Sequence, residues 1–272
     1  MIQNNTMKTN VDKVRLVWDE FAQKYGLDRR ASTPDAYLVD LEIRTLAKYI
    51  ASGETILDIG CGNGYTALKM AQKKAVDITG IDISAEMVAC ANQMLNKYAH
   101  VLQGAVQFEL GDILNPGFLE NFGETCFDVV LTKRTLINVL NWKEQKETII
   151  KIWHLLKPNG RYIMMEATTQ GHRNINRLRD RFGIPGTPIR WHNNYLDEDK
   201  LLPFLNDRFG SVSYKDFSST YYIGSRVIQP LFLKPFNKEP RYDFFLNRLF
   251  SYLPSCGNYG IQKIFICRKK EL

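Results

Sequence analysis

The stretch Ile56-Leu-Asp-Ile-Gly-Cys-Gly-Asn-Gly64 decides the fold of this chain. An apolar run ends in the acid Asp58, alternating glycines follow, and a helical pattern then covers residues 65–73. This order predicts a buried strand, a tight turn and the start of a helix. Glycines at such a turn let a ligand approach the backbone, because they lack a Cβ atom and tolerate positive φ. The free N–H groups at the helix start are then available to that ligand.

The spacing of the glycines and acids narrows the class of ligand. A dinucleotide fingerprint would need its third glycine at position 65, where the chain has Tyr65. A second apolar run, residues 76–81, ends at Asp82, near the spacing at which an acid binds ribose hydroxyls in nucleotide folds. A carboxylate can accept hydrogen bonds from two vicinal hydroxyls. The pattern therefore favours a nucleoside ligand without a diphosphate.

Further motifs follow the glycine turn in order. They are Ile81-Asp-Ile-Ser84, Gly111-Asp-Ile-Leu114, Phe127-Asp-Val-Val130 and Leu156-Lys-Pro-Asn-Gly-Arg161. With the turn itself, they resemble the motifs of class I S-adenosylmethionine-dependent methyltransferases over residues 11–166. The resemblance implies an α/β fold with a Rossmann-like seven-stranded sheet whose strand seven is antiparallel. It also implies an N-terminal helical lid, and we expect a C-terminal insertion between strands six and seven.

Hydrophobic periodicity and turn signals divide the chain into segments. We expect residues 1–272 to form a single domain, with a helical lid over 11–50, a cofactor-binding core over 51–166, an acceptor loop over 167–195 and an insertion over 219–260. In the lid, Thr33 is the expected N-cap of the second helix. The predicted strands are 55–59, 76–82, 105–110, 126–132, 160–166, 211–219 and 260–268. The predicted helices are 11–25, 35–50, 64–73, 84–98, 143–156, 196–208 and 241–252.

Composition excludes several classes of protein. The chain has 272 residues, of which 44% are hydrophobic, and no window of eighteen uninterrupted apolar residues. Residues 1–10 are polar and predict a flexible lead without a signal peptide. The five cysteines are scattered, so we expect no disulfides, no structural zinc and a cytoplasmic location. The chain has a net charge of +7, but its sequence contains no long run of lysine and arginine residues. Nucleic acid is therefore a poor candidate partner. We expect no membrane partner either, whereas a homodimer is compatible with the aromatic insertion.

The resemblance assigns S-adenosyl-L-methionine as cofactor and S-adenosyl-L-homocysteine as product. Asp58 would lie near the methionine ammonium, Asp82 at the ribose and Asp112 at the adenine amino group, with Lys133 near the reactive methyl group. We see no carboxylate cluster for a metal beyond these acids. The cofactor-binding residues implied are Tyr25, Asp58, Gly60, Cys61, Gly62, Gly64, Asp82, Ile83, Met87, Asp112, Ile113 and Lys133.

The segment after the fourth strand bears on the acceptor. Family members that methylate exocyclic amines or amides often carry Asn/Asp-Pro-Pro-Tyr/Phe there, whereas this chain has Thr132-Lys-Arg-Thr135. This departure argues against an adenine or glutamine N-methyltransferase and places the cation Arg134 near the acceptor. A structural alternative is that Arg134 pairs with a carboxylate such as Asp19 or Glu166.

Basic and aromatic residues after the fifth strand predict a polar, anionic acceptor, because arginine binds carboxylate and phosphate in two-point fashion. His192 is a candidate general base, and Arg134 and Lys133 are the other catalytic candidates. A solvated basic loop and an aromatic satellite core or dimer face remain alternatives. We expect O-methylation of a sugar, sugar phosphate or glycan precursor; RNA or N-methylation and non-catalytic cofactor binding are the alternatives. The acceptor-binding candidates are Arg134, Asn138, Arg173, Arg190, His192, Tyr222 and Arg226.

Overall fold

A seven-stranded mixed sheet forms the centre of the molecule. The computed structural model describes residues 9–122 and 125–270; residues 1–8 of the predicted lead lie outside this range. The strand order is β3-β2-β1-β4-β5-β7-β6, with β7 antiparallel to both neighbours. This arrangement confirms the predicted α/β fold. The strands are β1 Thr55–Ile59, β2 Asp77–Asp82, β3 Val106–Leu110, β4 Phe127–Lys133, β5 Leu156–Ala167, β6 Ser211–Lys215 and β7 Gln262–Arg268.

Helices cover both faces of the sheet. Ile56 packs in one hydrophobic cluster and its neighbour Leu57 in the other, as the two-residue period of a strand requires. The helices are α1 Asn10–Tyr25, α2 Ala36–Leu46, α3 Tyr65–Ala71, α4 Ala85–Tyr98, α5 Trp142–Leu155, α6 Thr169–Arg181, α7 Glu198–Arg208, α8 Ser219–Ile223, α9 Gln229–Leu233 and α10 Phe245–Phe250. A π-helical segment, Gly224–Ile228, joins α8 to α9. No helix in the described ranges is long and apolar enough to span a membrane.

The direction of chain progression across the sheet reverses between β1 and β4. From β1 the chain proceeds outward through β2 and β3, and it then returns to the other side of β1 at β4. Ligands of open α/β sheets bind in the crevice beyond the carboxyl ends of the strands at such a point. The glycine turn after β1 and the Lys133-Arg134 pair at the end of β4 therefore face the same crevice.

Helix α2 differs from its predicted bounds at both ends. Asp35, rather than Thr33, is the N-cap, and its side chain accepts a hydrogen bond from the N–H of Leu38. The helix ends at Leu46, four residues before the predicted end. Asp35 also forms an ion pair with Arg226 of the insertion.

Helix α6 covers 13 of the 29 residues of the segment predicted as an acceptor loop, so the prediction of a loop over all of 167–195 is wrong. Thr168 caps α6 by accepting a hydrogen bond from the N–H of Gly171. At Gly171 the helix lies so close to the backbone of Gly260 that no side chain fits between them. A Cβ at Gly171 would lie 2.0 Å from the carbonyl oxygen of Gly260. Its buried neighbour one turn on is Ile175. Few apolar side chains mark the buried face, which is why periodicity missed the helix.

The insertion between β6 and β7 holds more helix than predicted. The expected helix at 241–252 is shorter, as α10, and α8 and α9 precede it. A cluster that includes Tyr221, Tyr222 and Val227 packs against Leu38 of α2. The insertion thus covers the same crevice from the side of α2.

Candidate active site

The glycine turn forms one wall of a cavity at the crevice. Gly60, Gly62 and Gly64 all have positive φ, between 57° and 74°. A Cβ at Gly60 would lie 2.2 Å from the hydroxyl oxygen of Thr135, so only glycine fits between β1 and the segment after β4. The lining of this cavity is mainly apolar, as is usual for small-molecule sites, and it includes Gly60 and Gly62.

Asp82 lies at the end of β2 with both carboxylate oxygens held in place. One oxygen accepts from the N–H of Gly62 at 2.8 Å and the other from the N–H of Ser84 at 2.9 Å. Burial raises the pKa of Asp82 to about 6, against the effect of these two N–H groups. Asp112 projects into the same cavity, and its side chain accepts from the N–H of Leu114. Two acids from adjacent strand ends therefore face one apolar cavity.

Helix α1 covers this cavity. Val11, Val14 and Trp18 line it, and the indole N–H of Trp18 donates to the side-chain oxygen of Asn138 at 2.8 Å. Asp19 accepts a hydrogen bond of 2.6 Å from the hydroxyl of Ser84. Residues on one helix thus contact two sheet-edge segments, as expected of a lid.

Lys133 and Arg134 share a buried carboxylate that sequence analysis did not find. Glu42 of α2 is fully buried, with one oxygen 3.4 Å from the Lys133 ammonium and the other 3.2 Å from the Arg134 guanidinium. Burial, followed by the neighbouring Arg134, lowers the pKa of Lys133. Arg134 also donates to the hydroxyl of Ser32 and has positive φ. Its ionic partner is therefore Glu42, not Asp19 or Glu166.

Glu166 fixes the segment after β4. Its side chain accepts from the N–H groups of Thr135 and Leu136 at 2.9 and 3.0 Å, and from that of Ile137 at 3.4 Å. Burial raises the pKa of Glu166 to about 7. This carboxyl group orients the backbone that carries Arg134 and Asn138.

A second cavity adjoins the first. The two cavities share four lining residues: Trp18, Ser32, Arg134 and Asn138. Aromatic rings and cations from α1, from the segment after α6 and from the insertion line the remainder. Among them are Phe21, Arg190, His192, Tyr195, Tyr222, Arg226 and Tyr242.

His192 is buried against α1. Its ring lies edge-on to that of Trp18, with centroids 6.1 Å apart. The Nδ1 atom is buried and has no hydrogen-bond partner within the described chain. Burial, followed by the charge of Arg190, lowers the pKa of His192. The imidazole is therefore neutral near pH 7 and able to accept a proton.

Arg226 reaches this cavity from the insertion. It donates to Asp35 at 2.7 Å and lies over the rings of Tyr222 and Tyr242. The hydroxyl of Tyr221 also donates to Asp35. The charge of Arg226 is thus neutralised by Asp35. Arg190, by contrast, has no carboxylate partner in the part of the chain that the structure describes.

Comparison with known proteins assigns the family. A family model for a methyltransferase domain matches residues 50–187, just over half of the chain. The chain belongs to the class I S-adenosylmethionine-dependent methyltransferase family. The cofactor of this family is S-adenosylmethionine.

Curated relatives of this chain are named for different methyl acceptors. Phosphoethanolamine N-methyltransferase 1 of Arabidopsis thaliana is 31% identical over 42% of this chain and 21% of its own length. The chain thus spans about a fifth of that relative. The ubiquinone/menaquinone biosynthesis C-methyltransferase UbiE of Geotalea daltonii is 26% identical over 80% of this chain and 81% of that protein.

Solved structures share the fold of this chain. The [4+2]-cyclase SpnF has a TM-score of 0.62 at 20% identity, covering 97% of each chain. Magnesium protoporphyrin IX methyltransferase from Synechocystis, with bound S-adenosylmethionine, has a TM-score of 0.59 at 15% identity. That match covers 98% of this chain and all of the other.

The residues predicted to bind the cofactor separate into two groups. Asp58 lies buried in β1, Cys61 and Gly64 lie within the turn, and Tyr25 lies on α1 near Phe21 and outside the cavity. Cavity-lining residues that the sequence does not assign to cofactor binding include Ser32, Gly111, Leu114, Thr135 and Val139. The predicted residues that line the first cavity are Gly60, Gly62, Asp82, Ile83, Met87, Asp112, Ile113 and Lys133.

The predicted acceptor-binding residues all line the second cavity, with the exception of Arg173. Arg173 is exposed on α6 and lines neither of the two adjoining cavities. Asn138 has a structural role as well, because its amide nitrogen donates to the side chain of Asn193 at 2.9 Å. The predicted acceptor residues that line the second cavity are Arg134, Asn138, Arg190, His192, Tyr222 and Arg226. Within the described ranges, no group of three or more potential metal-ligating side chains occurs.

Proposed function

We propose that this protein transfers a methyl group from S-adenosylmethionine to an oxygen of a small polar, anionic acceptor. A sugar, sugar phosphate or glycan precursor fits this description. The cofactor, when bound in the first cavity, supplies an activated methyl group on a sulfonium. The residues of the chain then position the acceptor and exclude water.

The observation that carries this proposal is the continuity of the two cavities. A ligand in the first cavity and a ligand in the second would meet at Trp18, Ser32, Arg134 and Asn138. Methyl transfer needs an acceptor atom in line with the carbon–sulfur bond. Where the two cavities meet, between α1 and the segment after β4, a methyl group could pass from the ligand in the first cavity to the ligand in the second.

His192 is the candidate general base of the proposed reaction. As the oxygen–carbon bond forms and the carbon–sulfur bond breaks, the acceptor hydroxyl loses its proton. The buried Nδ1 atom of His192, which has no partner among the described residues, is available to take that proton. The lowered pKa of His192 supports this role because it keeps the ring neutral near pH 7.

Charge in the second cavity favours an anionic acceptor. The guanidinium of Arg226 is paired with Asp35 and that of Arg134 with Glu42. Arg190 also lines this cavity, without a carboxylate partner in the described ranges, and is therefore free to bind a carboxylate or phosphate on the acceptor.

Calorimetry and turnover test this function. We expect purified protein to bind S-adenosylmethionine, and to release S-adenosylhomocysteine when the small-molecule fraction of a cell extract is added. Mass spectrometry of the product should locate the new methyl group on oxygen. Absence of cofactor binding would overturn the proposal, and binding without turnover would favour a non-catalytic cofactor-binding protein.

N-methylation is the second candidate, because the name of one relative is phosphoethanolamine N-methyltransferase. The mass-spectrometric analysis distinguishes it directly, since the new methyl group would then be attached to nitrogen. Turnover on an RNA fraction, with affinity that falls steeply as salt rises, would favour a polymer acceptor instead.

A further inference from the structure

Gln262 has a buried side-chain amide without a partner. It is the first residue of β7, is 4% exposed and lines the second cavity. The side-chain oxygen is buried without a hydrogen bond, and no hydrogen bond of the amide nitrogen is found among the described residues. The amide therefore offers both N–H donors and an acceptor oxygen, whichever way it is turned.

The backbone around Gln262 fixes where this amide lies. Gln262 is in register with Ala167, the last residue of β5, and its carbonyl accepts from the hydroxyl of Ser218 at 2.6 Å. The next residue, Lys263, points to the other face and is paired with Glu198. Gln262 thus lies at the carboxyl end of β5, the edge of the sheet that binds ligands.

Another buried glutamine shows what a structural role requires. Gln145 of α5 donates to three carbonyl groups, those of Leu136, Val139 and Asn194, at 2.9 to 3.1 Å. An unpaired buried amide is unfavourable for folding, so Gln262 contributes no comparable stabilisation. A ligand that fills the second cavity would supply the missing partners.

We propose that Gln262 is a specificity-determining residue that binds a hydroxyl group of the methyl acceptor, and that the acceptor is a hydroxylated, ring-containing anion. A hydroxyl group both donates and accepts, so it satisfies both atoms of the amide, whereas a carboxylate only accepts. Trp18, Phe21 and Tyr222 provide ring faces, and Arg190 provides the counter-charge. This inference rests on the proposed function for the identity of the second ligand.

The first test compares matched ligands by NMR titration of the protein saturated with S-adenosylhomocysteine. The probes are 4-hydroxybenzoate against benzoate, and glucuronate against cyclohexanecarboxylate. At least one hydroxylated probe should bind about tenfold more tightly than its partner, and Gln262→Leu should remove that difference. The pair that shows the preference distinguishes a phenolic from a sugar-like ring. No preference in the wild type, no binding of any probe, or a preference that persists in the variant overturns the inference.

The second test uses stability and cofactor affinity. Gln262→Leu should keep or raise the Tm, because it removes an unpaired buried amide, and should leave S-adenosylmethionine affinity unchanged, because Gln262 does not line the first cavity. The matched control Gln145→Leu should lower the Tm. If Gln262→Leu also lowers it, the role of Gln262 is structural and the inference fails.

These tests separate the inference from the proposed function. Probe binding requires no turnover, so a protein that never transfers a methyl group can still show the hydroxyl preference. In turnover assays with the extract fraction, Gln262→Leu should lower kcat/KM by about tenfold or more. Unchanged kcat/KM in a wild-type-active preparation would contradict the role of Gln262 and leave the methyltransferase activity intact.

Discussion

Asp82 is the residue whose function the sequence predicts most directly. The structure holds its carboxylate between the N–H groups of Gly62 and Ser84, at the mouth of the first cavity. We expect Asp82→Ala to weaken S-adenosylmethionine binding by about 1–3 kcal/mol, because the ribose hydroxyls would lose a charged acceptor. Calorimetry measures this directly. The control Asp207→Ala, an exposed position on α7, should leave affinity unchanged, and an unaltered affinity in Asp82→Ala would remove Asp82 from the site.

Glu42 and Gln262 illustrate what a sequence does not reveal at the residue scale. Glu42 lies in an ordinary amphipathic helix, and its role appears only when α2 packs against the end of β4. Gln262 begins a strand and has no motif around it. Asp82, by contrast, follows a recognisable strand and glycine turn. The role of a residue can be predicted from the sequence when the local spacing of residues defines that role. It cannot be predicted when the role depends on a contact with a residue far away in the sequence.

At the scale of the elements, the turn after β1 combines two constraints. Gly62 has positive φ but open space around its Cβ position, whereas Gly60 has positive φ and also contacts Thr135. We expect Gly62→Ala to lower the free energy of unfolding by about 1–2 kcal/mol through backbone strain alone. Gly60→Ala should cost about 2–4 kcal/mol, because overpacking against Thr135 adds to the strain.

Urea denaturation of the two glycine variants measures this difference. A Gly60→Ala/Thr135→Ala double variant should recover part of the loss, since the threonine side chain is the nearest obstacle. The Thr135→Ala single variant is the control, because Thr135 also donates to the carbonyl of Ile59. Equal costs at Gly60 and Gly62 would mean that the turn relaxes and that close packing against Thr135 is unimportant.

The elements that the sequence predicts well carry strong local signals. Strand β1 coincides with its predicted range, and α4 covers Ala85–Tyr98 against the predicted 84–98. The apolar face of helix α6 is short: Ile175 is buried and Leu178 packs against the same cluster, while Gly171 makes a close contact with the backbone of Gly260. So few apolar positions give a weak periodic signal in the sequence.

At the scale of the whole molecule, the topology follows from the alternation of strands and helices. Parallel strands joined by right-handed crossovers allow few strand orders, and a glycine turn after the first strand reduces the number of possible strand orders further. The sequence predicts an insertion between β6 and β7, which the structure shows, but it does not predict helices α8 and α9. Aromatic side chains there pack against α2, so the shape of the second cavity depends on contacts between distant parts of the chain.

Three buried acids couple the folding of the whole molecule to pH. Burial raises the pKa of Asp58 to about 7, of Asp82 to about 6 and of Glu166 to about 7. Each folded-state pKa exceeds the unfolded value near 4, so the folded state binds more protons between these values. The contribution of each group to stability is therefore complete below about pH 4 and is lost as pH rises towards its folded pKa.

Asp58→Asn isolates one of these contributions. Asparagine cannot ionise, so the variant should not lose the stability that the wild type loses at position 58 between about pH 4 and 7. We therefore compare the Tm of the wild type with that of Asp58→Asn, both without cofactor. The difference, wild type minus variant, should fall steadily between about pH 4 and 7 and level off at higher pH. Differential scanning calorimetry at several pH values measures the difference, with Asp207→Asn as the exposed control. A difference that stays constant, or that rises with pH, would show that Asp58 is ionised in the folded protein and that the Lys133 ammonium compensates for its burial.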